Sequence, residues 1–110
     1  MKLGDLNPNE SAVLCALVGH MIRADGQVTD EEIDAMSKIA DDMGLDQWRT
    51  AFRAVHGQYK TTDAVLEFAK TVERKEAKVC IESVLGDVAA SDLLVASETR
   101  FLAAVTQNWT

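Results

Sequence analysis

Two short acidic segments contain the residues best suited to bind a ligand. An aspartate is followed by glutamate at the start of the next helical pattern in residues 25–32, with two glutamates, and again in residues 92–98, with one. Carboxylate oxygens are the ligands that calcium and magnesium prefer, and a divalent cation would relieve the repulsion between crowded carboxylates. The segments therefore predict a divalent-cation site, with calcium or magnesium favoured over zinc. Its candidate ligands are Asp25, Glu31, Glu32, Asp92 and Glu98.

The first segment does not form an EF-hand loop, although part of the pattern is present. With Gly26 at the sixth loop position, Glu32 falls at the twelfth, as an EF-hand requires. The first and third positions then fall on Met21 and Arg23, which supply no carboxylate. His20 precedes the segment and is a candidate extra ligand, with which zinc would become more favourable.

The same acidic residues also have an ordinary structural explanation. An aspartate in a turn accepts hydrogen bonds from backbone N–H groups, and glutamates in a first helical turn are favoured by the helix dipole. A purely structural role for both segments therefore remains the alternative to a cation site.

No residue pattern indicates catalysis, and we expect the protein not to be an enzyme. No Ser/His/Asp, Cys/His or phosphate-loop arrangement stands out in the chain. Cys15 and Cys80 lie in apolar helical patterns and belong to no metal-binding spacing, so we expect two buried free thiols. Free thiols are typical of a reducing cytoplasm.

Helical periodicity runs through nearly the whole chain and predicts an all-α, compact bundle of about six helices in a single domain, residues 1–110. Capping residues mark the boundaries. Predicted helix starts are Asn7, Thr29, Asp46, Thr62, Lys75 and Ser97, and predicted ends are Gly26, Gly44 and Gly57. Apolar residues expected in the core include Ile33, Met36, Trp48, Phe52, Phe68 and Phe101. The charged run 73–76 is expected to be a solvated helix start.

The sequence repeats itself, which predicts an internal pseudo-two-fold symmetry. A shift of 67 residues aligns Gly19 with Gly86, and a shift of 66 aligns Glu32 with Glu98. Two helix–turn–helix units related in this way would place the helix at about residues 8–24 beside that at about 75–90. Leu17 and Val84 should then both be buried between them.

The charge balance excludes several classes of partner. Among 110 residues, 18 Asp and Glu outnumber 11 Lys and Arg, which gives a net charge of −7. Nucleic acids and anionic membranes are therefore unfavourable partners, whereas cations and basic protein surfaces are favourable ones.

No apolar run approaches the ~20 residues that a membrane span needs, and residues 1–8 do not resemble a signal peptide. A cytoplasmic location is expected.

Residues 24–32 (ADGQVTDEE) and 39–45 (IADDMGL) resemble a characteristic segment of the TerB-like family, which includes tellurite-resistance proteins and the N-terminal region of DjlA-type co-chaperones. Residues 89–98 resemble the family's second, weaker copy of this segment. The resemblance implies a compact helical domain with acidic clusters suspected of binding divalent cations. It also implies stress-response or membrane-linked protein partners.

Two functional hypotheses follow and stay open at this point. In the first, the domain is a TerB-like stress-response module in which the paired acidic turns bind a divalent cation. In the second, it is a helical adaptor that binds another protein through an acidic face or an exposed groove, and the turns are only structural.

Overall fold

A computed structural model describes residues 2–23, 30–55, 57–59, 61–90 and 96–109. These residues contain a short 3₁₀ helix, six α-helices and no strand, so the predicted all-α fold is confirmed. The 3₁₀ helix is Leu3–Asp5, and the α-helices are α1 Pro8–Arg23, α2 Asp30–Met43, α3 Leu45–Val55, α4 Thr62–Ala69, α5 Lys75–Ala90 and α6 Ala96–Asn108.

Local signals set several of these helix ends. The predicted capping box of α1 is present, because the Glu10 N–H donates to Asn7 Oδ1 and the Asn7 N–H donates to Glu10 Oε1, each at 2.8 Å. Gly44 and Gly57 follow α2 and α3 with φ of 101° and 74°, a conformation that glycine adopts without strain. Both predicted helix ends are confirmed.

Two predicted caps are wrong. The Trp48 N–H donates to the Gly44 carbonyl at 2.9 Å, so α3 begins at Leu45 and Asp46 lies inside its first turn. The physical reason is that the left-handed conformation of Gly44 turns the chain directly from α2 into α3, without a separate capping residue. Ser97 is likewise the second residue of α6 rather than its cap.

Helix α1 is the central element of the bundle and packs against α3, α4, α5 and α6. All of residues 10–18 are buried, and so is Met21 one turn further on. A helix that is covered on every side needs apolar residues around its circumference, which this sequence supplies. The core that forms around α1 includes Leu14, Leu17, Val65, Ala69, Val72, Ala77, Ile81, Leu85, Val88, Phe101 and Val105.

The predicted contact between α1 and α5 is present, but its details differ from the repeat-based expectation. Leu17 is fully buried as predicted, whereas Val84 is only half-buried. Val84 borders two open depressions beside α2, which leave its side chain partly exposed. The turns of the proposed repeat, residues 24–29 and 91–95, lie outside the described residues, and the pseudo-two-fold symmetry stays a prediction.

An ion pair between a buried carboxylate and an exposed guanidinium joins the start of α1 to the start of α5. The Glu10 side chain is 2% exposed and accepts hydrogen bonds from Arg74 Nε, at 2.7 Å, and from Arg74 Nη2. Arg74 Nη2 also donates to the Asp5 carbonyl at 3.1 Å. The hydrogen bonds from Arg74 are the main reason that the pKa of Glu10 is lowered. Residues 73–76 are exposed, as expected, but Arg74 also makes this ion pair, which the charged run did not predict.

This pair should make stability depend on pH. Folding lowers the pKa of Glu10 from its unfolded value of 4.5. The stabilising effect of the ion pair is therefore complete above pH 4.5 and is lost as the pH falls through the pKa of Glu10 in the folded protein. We expect Glu10→Gln to lower the free energy of unfolding at pH 7 and to flatten its fall on acidification. Urea unfolding between pH 7 and pH 3 measures both effects.

The exposed pair of Glu67 and Lys70, with Oε2 and Nζ 3.5 Å apart, provides the control. Exposed ion pairs contribute little to stability, so Glu67→Gln should leave the pH dependence of the free energy of unfolding nearly unchanged. If the free energy of unfolding fell in parallel for wild type and Glu10→Gln between pH 7 and pH 3, the stabilising role of the Glu10–Arg74 pair would be contradicted.

Candidate functional site

The structure tests the predicted cation site only in part. Asp25 and Asp92 lie outside the described residues. Glu31 and Glu32 lie in the first turn of α2 and Glu98 in the first turn of α6, as predicted, but their side chains are also outside the described part. Within the described part, no three His, Cys, Asp or Glu side chains form a group that could hold a metal ion. The assembly of the five carboxylates into one site stays a prediction.

His20, the candidate extra ligand, has structural contacts. Its Nε2 lies 2.9 Å from Thr62 Oγ1, and its ring centroid lies 4.8 Å from that of Phe101. These contacts connect α1 to α4 and α6 and hold the half-buried ring in the bundle. They support the ordinary structural role of this histidine.

An apolar groove of about 500 Å³ opens between α1, α2 and α3. It is lined by Cys15, Ala16 and Gly19 of α1, by Ile33, Met36, Ser37 and Ala40 of α2, by Leu45, Trp48, Phe52 and Val55 of α3, and by Gly57 and Tyr59. Its size and mostly apolar lining are typical of a binding site.

Small side chains on α1 create the space. Ala12, Cys15 and Ala16 are buried against Ala51 and Val55 of α3 in a second apolar cluster beside the main core. Alanine and cysteine let the two helices approach closely. The same row continues to the glycine at position 19, so the described side chains of α1 that line the groove are all small.

Large apolar side chains border this groove at the surface. Ile33 is 50% exposed, Leu45 52% and Phe52 37%. Within the described residues, Val79 on α5 is the other large hydrophobic side chain with comparable exposure. Three exposed apolar residues around one groove are a recognised feature of interaction surfaces.

The exposure of Ile33 and Phe52 corrects the predicted core. Both are at helical spacing with buried residues, but they lie at the border of the apolar groove and remain exposed there. Met36 and Trp48 are half-buried, and the Trp48 and Phe52 rings lie 6.0 Å apart at 32°. The sequence signal that was missed is the row of small residues at positions 12, 15, 16 and 19.

The cysteine beside the groove is not suited to nucleophilic chemistry. Cys15 is 2% exposed, and burial raises the pKa of its thiol to about 12. Cys80 is half-buried rather than buried as predicted, and partial burial is the main reason that its thiol pKa is also raised. Both are free thiols, as predicted. The groove thus offers apolar contact surface rather than a reactive group.

A family model described as "Tellurite resistance protein TerB" matches residues 9–108. No curated protein and no solved structure gives a significant match. Among the described residues, none of the helices has the length and apolar character needed to span a bilayer. The family match covers nearly the whole chain and includes every helix that lines the apolar groove.

The two thiols should differ in reactivity. At pH 8 a pKa of about 12 leaves about one Cys15 thiol in ten thousand as thiolate, and burial blocks access as well. We expect Cys15 in a Cys80→Ser variant to react with iodoacetamide at least about tenfold more slowly than Cys80 in a Cys15→Ala variant. Mass spectrometry measures the rates, and in urea they should converge. Rapid native labelling of Cys15 would contradict its burial.

Proposed function

The chain belongs to the TerB family, and from that premise we propose that it is a non-enzymatic interaction module whose apolar groove binds a helix of a partner protein. The observation that carries the proposal is the groove itself, which three exposed large apolar side chains border. A helix with an apolar face fits such a groove through residues spaced at i, i+3, i+4 and i+7.

Other occupants are less favourable on physical grounds. The described residues contain no strand, so they offer no sheet edge to which a partner could add an extended segment. A second copy of this chain would bring together two proteins of net charge −7, which repel each other. A helix from a different, less acidic protein avoids both difficulties.

Other observations support the remaining parts of the proposal. The buried Cys15 thiol, with its raised pKa, favours a binding role over covalent catalysis. Two free cysteines favour a reducing, cytoplasmic location. The family description names tellurite resistance, and a role in stress response is proposed for this chain on that ground alone.

Divalent-cation binding by the acidic turns is the second candidate function. The helix bounds support it, because α1 ends at Arg23 and α2 begins at Asp30, so that residues 25–32 span a helix junction. Residues 92–98 similarly span the junction between α5, which ends at Ala90, and α6. Each segment thus has carboxylates both in the junction and in the following first turn, and Ca²⁺ or Mg²⁺ suits such oxygen ligands.

A designed peptide tests the groove. We expect an amphipathic helical peptide of about 18 residues, with leucines along one face and glutamines elsewhere, to bind with micromolar Kd. The chain has two tryptophans, and Trp48 lines the groove, so its fluorescence reports binding once Trp109 is replaced by Phe. The Trp109 indole N–H donates to the Ala69 carbonyl on α4. Ile33→Asp should weaken binding at least about tenfold, because the new carboxylate would be desolvated under the peptide.

Val79→Asp is the matched control for this measurement. Val79 is also β-branched and is 58% exposed, but it lies on α5 and does not line the apolar groove. Its substitution should leave the Kd unchanged. Equal weakening by both substitutions, or no binding to wild type, would overturn the proposed docking site.

An NMR titration tests the cation hypothesis separately. With added Ca²⁺ or Mg²⁺, the amide signals of Asp25, Gly26 and Asp92 should shift together and saturate, with a Kd of about 10⁻⁵ to 10⁻³ M. Asp25→Asn should abolish the response, whereas Asp63→Asn, at an exposed position on α4, should not. Shifts spread over all acidic residues would show only non-specific screening.

A further inference from the structure

We infer that the helix bound in the apolar groove carries a row of basic residues along the edge that faces α2. This inference rests on the proposed function and specifies the chemistry of the partner. It follows from the charges that flank the groove on its two sides.

A row of carboxylates lies along the α2 side. Asp30, Asp34, Ser37 and Asp41 have the spacing i, i+4, i+7 and i+11, which places them in one line on the helix surface. Ser37 lines the apolar groove, so the three aspartates flank it. All three are exposed, and no residue in the described ranges forms a salt bridge with them.

The basic residue of α2, Lys38, does not neutralise this row at the groove. Lys38 is one position beyond Ser37 and lines a separate depression with Asp34 and Asp87, between α2 and α5. It therefore lies on the far side of the aspartate row from the apolar groove. The edge that a docked helix would meet remains negative.

The α3 side of the groove has the opposite charge. Arg49 is exposed and lies four residues after Leu45 and three before Phe52, between two side chains that line the groove. A partner helix with basic residues on both edges would place one edge against this guanidinium. The two sides together therefore favour a helix whose basic residues are confined to one edge.

The basic edge would contribute selectivity rather than most of the affinity. Exposed ion pairs at the rim of an interface are individually weak and are screened by salt, whereas apolar contacts in the groove are not. Complementary rim charges mainly raise the association rate and exclude partners of the wrong charge.

Three peptides with the same leucine face test the inference by Trp48 fluorescence. One has glutamine on both edges, the second has lysines along one edge, and the third has glutamates along that edge. We expect the lysine peptide to bind about three- to tenfold more tightly than the glutamine peptide in low salt, and the difference to disappear at 1 M NaCl. The glutamate peptide should bind no more tightly than the glutamine peptide.

Substitutions on the protein complete the test. The double variant Asp34→Asn/Asp41→Asn should remove the preference for lysine, while Asp63→Asn/Glu67→Gln on α4 changes net charge equally and should preserve it. Equal binding of all three peptides, or a lysine preference that survives the α2 substitutions, would overturn this inference and leave the groove function intact. If no peptide binds, the proposed function itself fails.

Discussion

The burial of α1 depends on the neutralisation of one charge. Glu10 completes the capping box of this helix and its side chain is buried, where an unpaired carboxylate would be very costly. Arg74 supplies two hydrogen bonds to it and a third to the Asp5 carbonyl, so one guanidinium connects the N-terminal segment, α1 and the start of α5. With this charge satisfied, the remaining apolar circumference of α1 can be covered by four other helices.

The packing of α1 also creates the candidate binding site. On the side that faces α4, α5 and α6, large residues such as Leu14 and Leu17 fill the core. On the side that faces α3, Cys15 and Ala16 allow close contact but leave unfilled space next to α2. Among the residues that the structure describes, the small side chains of α1 account for this unfilled space.

Helix α2 belongs to both candidate sites. Its first turn contains Glu31 and Glu32 of the proposed cation site, and Ile33 follows directly as a residue of the apolar groove. The acidic composition of the chain suits both functions, since carboxylates attract a divalent cation at the turn and basic side chains along the helix. The cation hypothesis concerns the junctions between helices, whereas the groove depends on the packed helices themselves.

The sequence alone determined the helical fold, the family resemblance and most helix boundaries, because these depend on local interactions. Asn7 and Glu10 are three residues apart, and Gly44 needs only its own backbone freedom to end a helix. The tertiary structure decided which apolar faces are covered, since Ile33 and Leu17 have similar side chains and only the neighbouring helices distinguish them. It also decided the role of Arg74, whose partner lies 64 residues away in the chain. Periodicity shows that a residue faces one side of a helix, but whether another helix lies there is a property of the whole fold.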